Sequence, residues 1–205
     1  MKDRHNLPTA YERAKEIKKL IHNVETTKTL NRFQYRYRMA RAFEGINAPD
    51  VGDRTVRGYA AGMKVLLAYG AFDEIRQVKN DLPIRPLRGE YVKIFDEKLS
   101  SKLRKNLELQ RMLEIPSAVS NAALKRDIKS FFNTENNDVM CIATGLRNAF
   151  AHGVFTAAGA GLTTKKRQLE INELANCLLD RTDSIALECV EQLERDLRLY
   201  KKSKA

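Results

Sequence analysis

The sequence predicts an all-α fold, a multi-helix bundle that ends in a long C-terminal helix. Apolar residues recur at three- and four-residue steps along most of the chain, no stretch alternates apolar with polar residues as a half-buried strand does, and turn-forming runs such as 80–89 and 133–138 separate the periodic segments.

The first helix is expected over 9–23, opened by Pro8 and Thr9, with Ala10, Ala14, Ile17 and Ile21 as its apolar stripe and lysines opposite. A second, over 29–44, sets Leu30, Phe33, Tyr37 and Ala40 on one face and Lys28, Arg32 and Arg36 on the other, and Gly45 stops it. The stretch 54–79 carries Val56, Tyr59, Ala60, Met63, Leu66, Leu67 and Ala71, which suits a central helix buried on two sides. Pro83, Pro86 and Gly89 make 80–90 the expected boundary between subdomains of a single helical domain over 1–205. Helices follow over 91–113 and 117–132. The turn 133–138 caps a helix over 139–150, whose stripe is Val139, Ile142, Ala143, Leu146 and Phe150, and Gly153 suits its end. Thr164 opens the last helix, over 165–200. A helix of that length often packs along another chain; the alternative is a break near Asp183 and Ser184.

At 205 residues, 43% hydrophobic and 31% charged, the chain is long enough for a packed core and too apolar for disorder. Lys and Arg number 37 against 26 Asp and Glu, a net charge of +11 that favours polyanions, so nucleic acid heads the expected partners. The bland alternative is a surface of solvated lysines. The polar N-terminus lacks a secretory stretch and no run of 18 apolar residues occurs, which predicts a cytoplasmic protein with no membrane partner. Cys141, Cys177 and Cys189 have no metal-type spacing and are expected as three buried thiols; a nucleophilic Cys141 is the alternative. Neither a Walker-type phosphate loop nor a cluster of metal-ligating residues occurs, so no cofactor and no metal are expected.

The segment that carries chemistry is Arg147-Asn148-Ala149-Phe150-Ala151-His152-Gly153. It combines a permanent cation, an amide and an imidazole, a set suited to phosphodiester cleavage without a metal. Histidine exchanges a proton near neutral pH, and arginine neutralises charge that develops on phosphorus. With 19 arginines and three histidines, the Arg-to-His spacing alone arises by shuffling about one time in four, and an adjacent asparagine cuts that to about one in fifty. On a regular helix Asn148 and His152 are neighbours one turn apart, whereas Arg147 lies roughly 140° around from His152. The two converge only if the helix ends at the histidine or a second chain completes the site. The structural alternative makes Arg147 an ion-pair residue and His152 a helix C-cap.

This segment resembles the signature of the HEPN-domain ribonucleases: an arginine, a polar residue, three to five further residues, and a histidine. The resemblance covers the motif and the helical layout. It implies a HEPN-like bundle and a metal-independent endoribonuclease that cuts RNA at a homodimer cleft where two motifs face each other. It further implies a place in host defence, toxin systems or RNA processing, and admits a neutralising or regulatory protein partner. Carried over by residue, His152 is the general acid or base, Arg147 stabilises the transition state, and Asn148 positions the phosphate or the histidine. The runner-up is a noncatalytic HEPN-like module that binds RNA or protein. His5 and His22 lie in a tail and near a helix end, so two copies of His152 are needed to supply an acid and a base together.

Arg32-Phe33-Gln34-Tyr35-Arg36-Tyr37-Arg38 interleaves cations with aromatics as single-strand binders do. Helical spacing turns Phe33 and Tyr37 inward, leaving Arg32, Arg36 and Tyr35 as nucleic-acid-binding candidates. Lys165, Lys166 and Arg167 are a second basic candidate, with a solvated helix start as the alternative. A helix-turn-helix over the second and third helices is disfavoured by its connection of about eight residues.

Overall fold

A computed structural model describes residues 9–21, 23–82, 93–116 and 118–203, and every regular element among them is helical. The helices are α1 (Ala10–Leu20), α2 (Val24–Ala42), α3 (Asp53–Asp81), α4 (Glu97–Leu103), α5 (Leu107–Glu114), α6 (Ala122–Phe132), α7 (Met140–Ala151) and α8 (Lys165–Ser203). An isolated antiparallel bridge pairs Phe95 with Asp138. No helix among the described residues is long and apolar enough to cross a membrane.

Local chemistry explains where the boundaries differ from expectation. Helix α2 begins at Val24, five residues before 29, because the Asn23 side chain accepts from the Thr26 N–H (3.0 Å). Two threonines near this start return their hydroxyls to carbonyls one turn back, Thr27 to Asn23 and Thr29 to Glu25. The single helix expected over 91–113 is two. Asp96 caps α4 through the Leu99 N–H, and Asn106 caps α5 through the Leu109 N–H. Between them Arg104 is drawn onto the carbonyl of Phe131 (2.6 Å), the carbonyl of Asn136 and the side chain of Asn137 (2.7 Å). Helix α6 starts late, where Asn121 accepts from the N–H groups of Ala123 and Leu124. Helix α8 runs unbroken for 39 residues through Asp183 and Ser184. There the Ser184 hydroxyl folds back onto the Asp180 carbonyl, and the Asp183 carboxylate is held from outside the helix.

The described residues fall into two units. One takes those of Met1–Arg41, Gly70–Glu90 and Leu179–Ala205; the other takes Ala42–Tyr69 and those of Tyr91–Leu178. Most of the predicted boundary at 80–90 lies outside the described residues.

In the first unit, Ile17, Leu30, Phe33, Phe72 and Ile75 are fully buried. Asp183 is its polar centre. The carboxylate accepts from the Ala10 N–H, the Tyr37 hydroxyl (3.0 Å) and Arg41 (2.7 Å), tying the start of α1, α2 and α8 together. Burial pushes the Tyr37 hydroxyl up to about 12, with Arg41 opposing and Asp183 adding to the rise. The Cys189 thiol is also pushed up to about 12 by burial.

In the second unit, α5, α6 and α7 pack on one another around Leu109, Leu113, Leu124, Ile128, Phe131 and Ile142. Cys141 is buried here, donates to the Asp138 carbonyl (3.0 Å), and has its thiol pushed up by desolvation, which opposes a reactive thiolate. Cys177 departs from expectation in being only half-buried.

Candidate active site

Helix α7 is set by its first residue outward. Asp138 is buried just before it, and its Oδ1 accepts from the N–H groups of Met140 (3.0 Å) and Ile94 (2.9 Å). Burial, the largest influence, raises the Asp138 pKa against those two bonds. With the folded value raised, this carboxyl favours folding when protonated, and the contribution is lost as pH rises through the raised value. Asn at this position accepts the same two bonds without burying a charge. Urea unfolding of wild type and Asp138→Asn is therefore expected to show the wild type losing ground to the variant as pH rises from about 4 to about 7; a constant difference contradicts this.

The apolar stripe predicted for one face understates the burial of α7. Residues 140–146 are buried on every side, with Thr144 returning its hydroxyl to the Met140 carbonyl. The helix then emerges within one turn: Arg147 is exposed, Asn148 half-buried, Ala149 buried, and Ala151 and His152 exposed. The three motif side chains thus sit on the only turn of α7 that reaches solvent.

The helix ends where Gly153 predicts. His152 is the C-cap, its N–H bonded to the Asn148 carbonyl (2.9 Å), and Gly153 takes a left-handed φ of 68°. The Gly153 N–H donates to Phe150 (3.1 Å) and the Val154 N–H to Ala149 (2.9 Å), the paired bonds of a Schellman ending. A left-handed conformation costs a residue with a Cβ about 1–2 kcal/mol. Gly153→Ala is expected to lower the melting temperature by roughly 2–8 °C in calorimetry; an unchanged value would show that the left-handed turn does not hold the helix end.

The chain after the cap is locked in place by α3. Phe150 and Phe155 stack with centroids 3.9 Å apart and planes 16° off parallel, and Tyr59 meets Phe155 edge-on at 5.6 Å. Both stacked rings lie against Gly62, where an added Cβ would come within 2.5 Å of Phe155 and 2.8 Å of Phe150. Farther along, the buried Asn106 side chain donates to the Ala160 carbonyl (3.0 Å), and Gln168 donates to that of Leu162 (3.0 Å). Sequence periodicity placed Tyr59 and Phe150 on apolar faces but missed Gly62, Phe155, Asn106 and Gln168. The available signal was Gly58-x-x-x-Gly62, two glycines one turn apart on a helix.

Among the three side chains, Arg147 donates to the Asn148 side-chain oxygen at 2.9 Å. No side-chain hydrogen bond among the described residues joins the His152 imidazole to either. The physical reason lies in the cap: with φ −94° and ψ 5°, His152 remains close to the helical path, so it keeps its angular separation from Arg147. The chain reverses one residue too late to bring them together. The structural alternative holds in part, since the His152 backbone caps the helix, whereas Arg147 has no ion pair among the described residues.

The other candidates have separate fates. Arg32 and Arg36, in the first unit, both reach the buried carboxylate of Glu74, at 3.3 and 3.0 Å. Lys165 and Lys166 are exposed in the first turn of α8. Arg167 is engaged with Glu170 (2.8 Å) and the carbonyls of Lys102 (3.2 Å) and Lys105, so it fastens α8 to the turn between α4 and α5. His5 and His22 lie outside the described residues. No three His, Cys, Asp or Glu side chains gather as a ligand set among the described residues. No protein-family model, curated protein or solved structure matches the chain.

Proposed function

We propose that this protein is a metal-independent endoribonuclease of the HEPN kind, cutting RNA through the ribose 2′-hydroxyl at a cleft formed by two copies of the chain. The observation that carries the reading is the placement of Arg147, Asn148 and His152 on the one solvent-facing turn of an otherwise buried helix. A rigid core behind an exposed cation and imidazole is what a preorganised phosphate site requires.

One imidazole takes the proton of the 2′-hydroxyl, and the freed oxygen bonds to phosphorus. The bond from phosphorus to the 5′-oxygen breaks, and a second imidazole protonates that oxygen. The products are a 2′,3′-cyclic phosphate and a 5′-hydroxyl. Arg147 neutralises the phosphoryl charge in the transition state, and its bond to Asn148 orients both groups. His152 of a second copy supplies the missing acid or base, because His152 is the one histidine among the described residues. The same resemblance places the activity in RNA processing, defence or toxin chemistry, where a neutralising protein that covers this turn silences it.

The test incubates the protein with mixed RNA in EDTA and characterises the ends. Cyclic phosphate and 5′-hydroxyl ends are expected, with 2′-O-methyl RNA left intact. Cutting of the 2′-O-methyl RNA refutes the mechanism, and an absence of any cleavage by folded dimer favours the noncatalytic binding module.

A further inference from the structure

Two exposed cations of α1 and α2, Lys15 and Arg38, lie over tyrosine rings, whereas Arg32 and Arg36 engage Glu74. The Lys15 ammonium lies 4.7 Å from the Tyr11 ring centroid. The Arg38 guanidinium is shared by two rings, 5.9 Å from Tyr11 and 5.6 Å from Tyr35. These residues form a strip of alternating cation and ring within the first unit. Tyr35 is 69% exposed, whereas Phe33 and Tyr37 of the same helix are buried. A ring already supported by a guanidinium therefore keeps most of its surface in water.

The charge of the strip is incompletely answered from within. Lys15 pairs with Glu12 (2.9 Å). Lys18 instead bonds to the neutral side chains of Asn31 and Gln34, and Arg38 has no carboxylate partner among the described residues. From Tyr11 to Lys18 the strip extends about 10 Å along α1.

We propose that this strip is a docking site for single-stranded RNA, in which a base stacks on Tyr35 and Arg38 and Lys18 meet the neighbouring phosphates. Open aromatic faces recognise unpaired bases, which a duplex keeps stacked on one another. An acidic protein segment would use the cations but not the ring. The inference takes from the proposed function only that RNA is the polyanion, and its test uses 2′-O-methyl RNA, which that chemistry does not cut. Binding and cleavage therefore succeed or fail separately.

The experiment is fluorescence anisotropy of the full chain with a labelled 2′-O-methyl single strand of about 12 nucleotides. Tyr35→Ala is expected to weaken binding about tenfold, and Tyr35→Phe to stay within about twofold of wild type. Arg38→Ala is expected to weaken binding and reduce the slope of log affinity against log salt by about 0.7. Wild-type affinity in folded Tyr35→Ala overturns the proposal. So does failure of wild type to bind at low salt, or equal affinity for duplex RNA or polyglutamate.

Discussion

His152→Ala is expected to reduce RNA cleavage by about 10²–10⁴-fold while moving the melting temperature by no more than about 4 °C. The two halves of this expectation have different origins. The imidazole is exposed and makes no hydrogen bond among the described residues, so alanine removes no packing. The contribution of residue 152 to the fold is its backbone, which closes the helix onto Asn148 and Phe150, and alanine retains it. What is lost is proton transfer, and in a two-copy site both histidines disappear at once. Arg147→Ala is expected to lower cleavage by about 10²–10³-fold through loss of charge stabilisation. Arg147→Lys recovers little of it, since an ammonium lacks the planar fork that grips phosphate and Asn148 together. Full activity in folded His152→Ala would remove the motif from the chemistry.

Gly62→Val has the largest expected effect on stability, a loss of about 3 kcal/mol, or roughly 6–12 °C in melting temperature. Position 62 has no room for a Cβ, which would meet two stacked aromatic rings at 2.5 and 2.8 Å. Neither ring is a flexible chain end. Phe150 belongs to α7 and Phe155 to the segment just beyond Gly153, so relief of the clash displaces the two flanks of His152. Cleavage is therefore expected to fall along with stability. Gly70→Ala, on the same helix, is the internal comparison. There an added Cβ meets the Arg36 side chain at an ordinary 3.6 Å, and alanine is expected to raise stability by about 0.5–1 kcal/mol. Equal effects at the two positions would show that helix propensity, and not close approach, decides this region.

Legibility from sequence follows the range of the interaction involved. The body of α3, the exit of α7 at Gly153 and the length of α8 are written in local periodicity and cap chemistry, and the structure has them close to the expected residues. The break between α4 and α5 is only partly local, in the Asn106 cap. It also depends on Arg104 reaching Phe131 and on Asn106 reaching Ala160, partners far along the chain. The same holds for the basic face of α2. Its charges are visible in sequence, but the carboxylate that engages Arg32 and Arg36 is the buried Glu74, about eleven turns of helix away in chain length. Asp183 shows the converse: a residue that suggests a helix break becomes the acceptor that fixes α1 and α2 to an unbroken α8. For the site, residue types and spacing were legible, and the separation of Arg147 from His152 turns on the backbone angles of one capping residue.

No side-chain hydrogen bond among the described residues of one copy joins His152 to the pair of Arg147 and Asn148, and the shared-cleft proposal has two copies make one site. Sedimentation and RNA cleavage measured on the same samples across a dilution series test it most directly. Cleavage per protomer is expected to fall in step with the dimer fraction and to be lost when only monomer sediments. Undiminished cleavage by a strictly monomeric protein would contradict it.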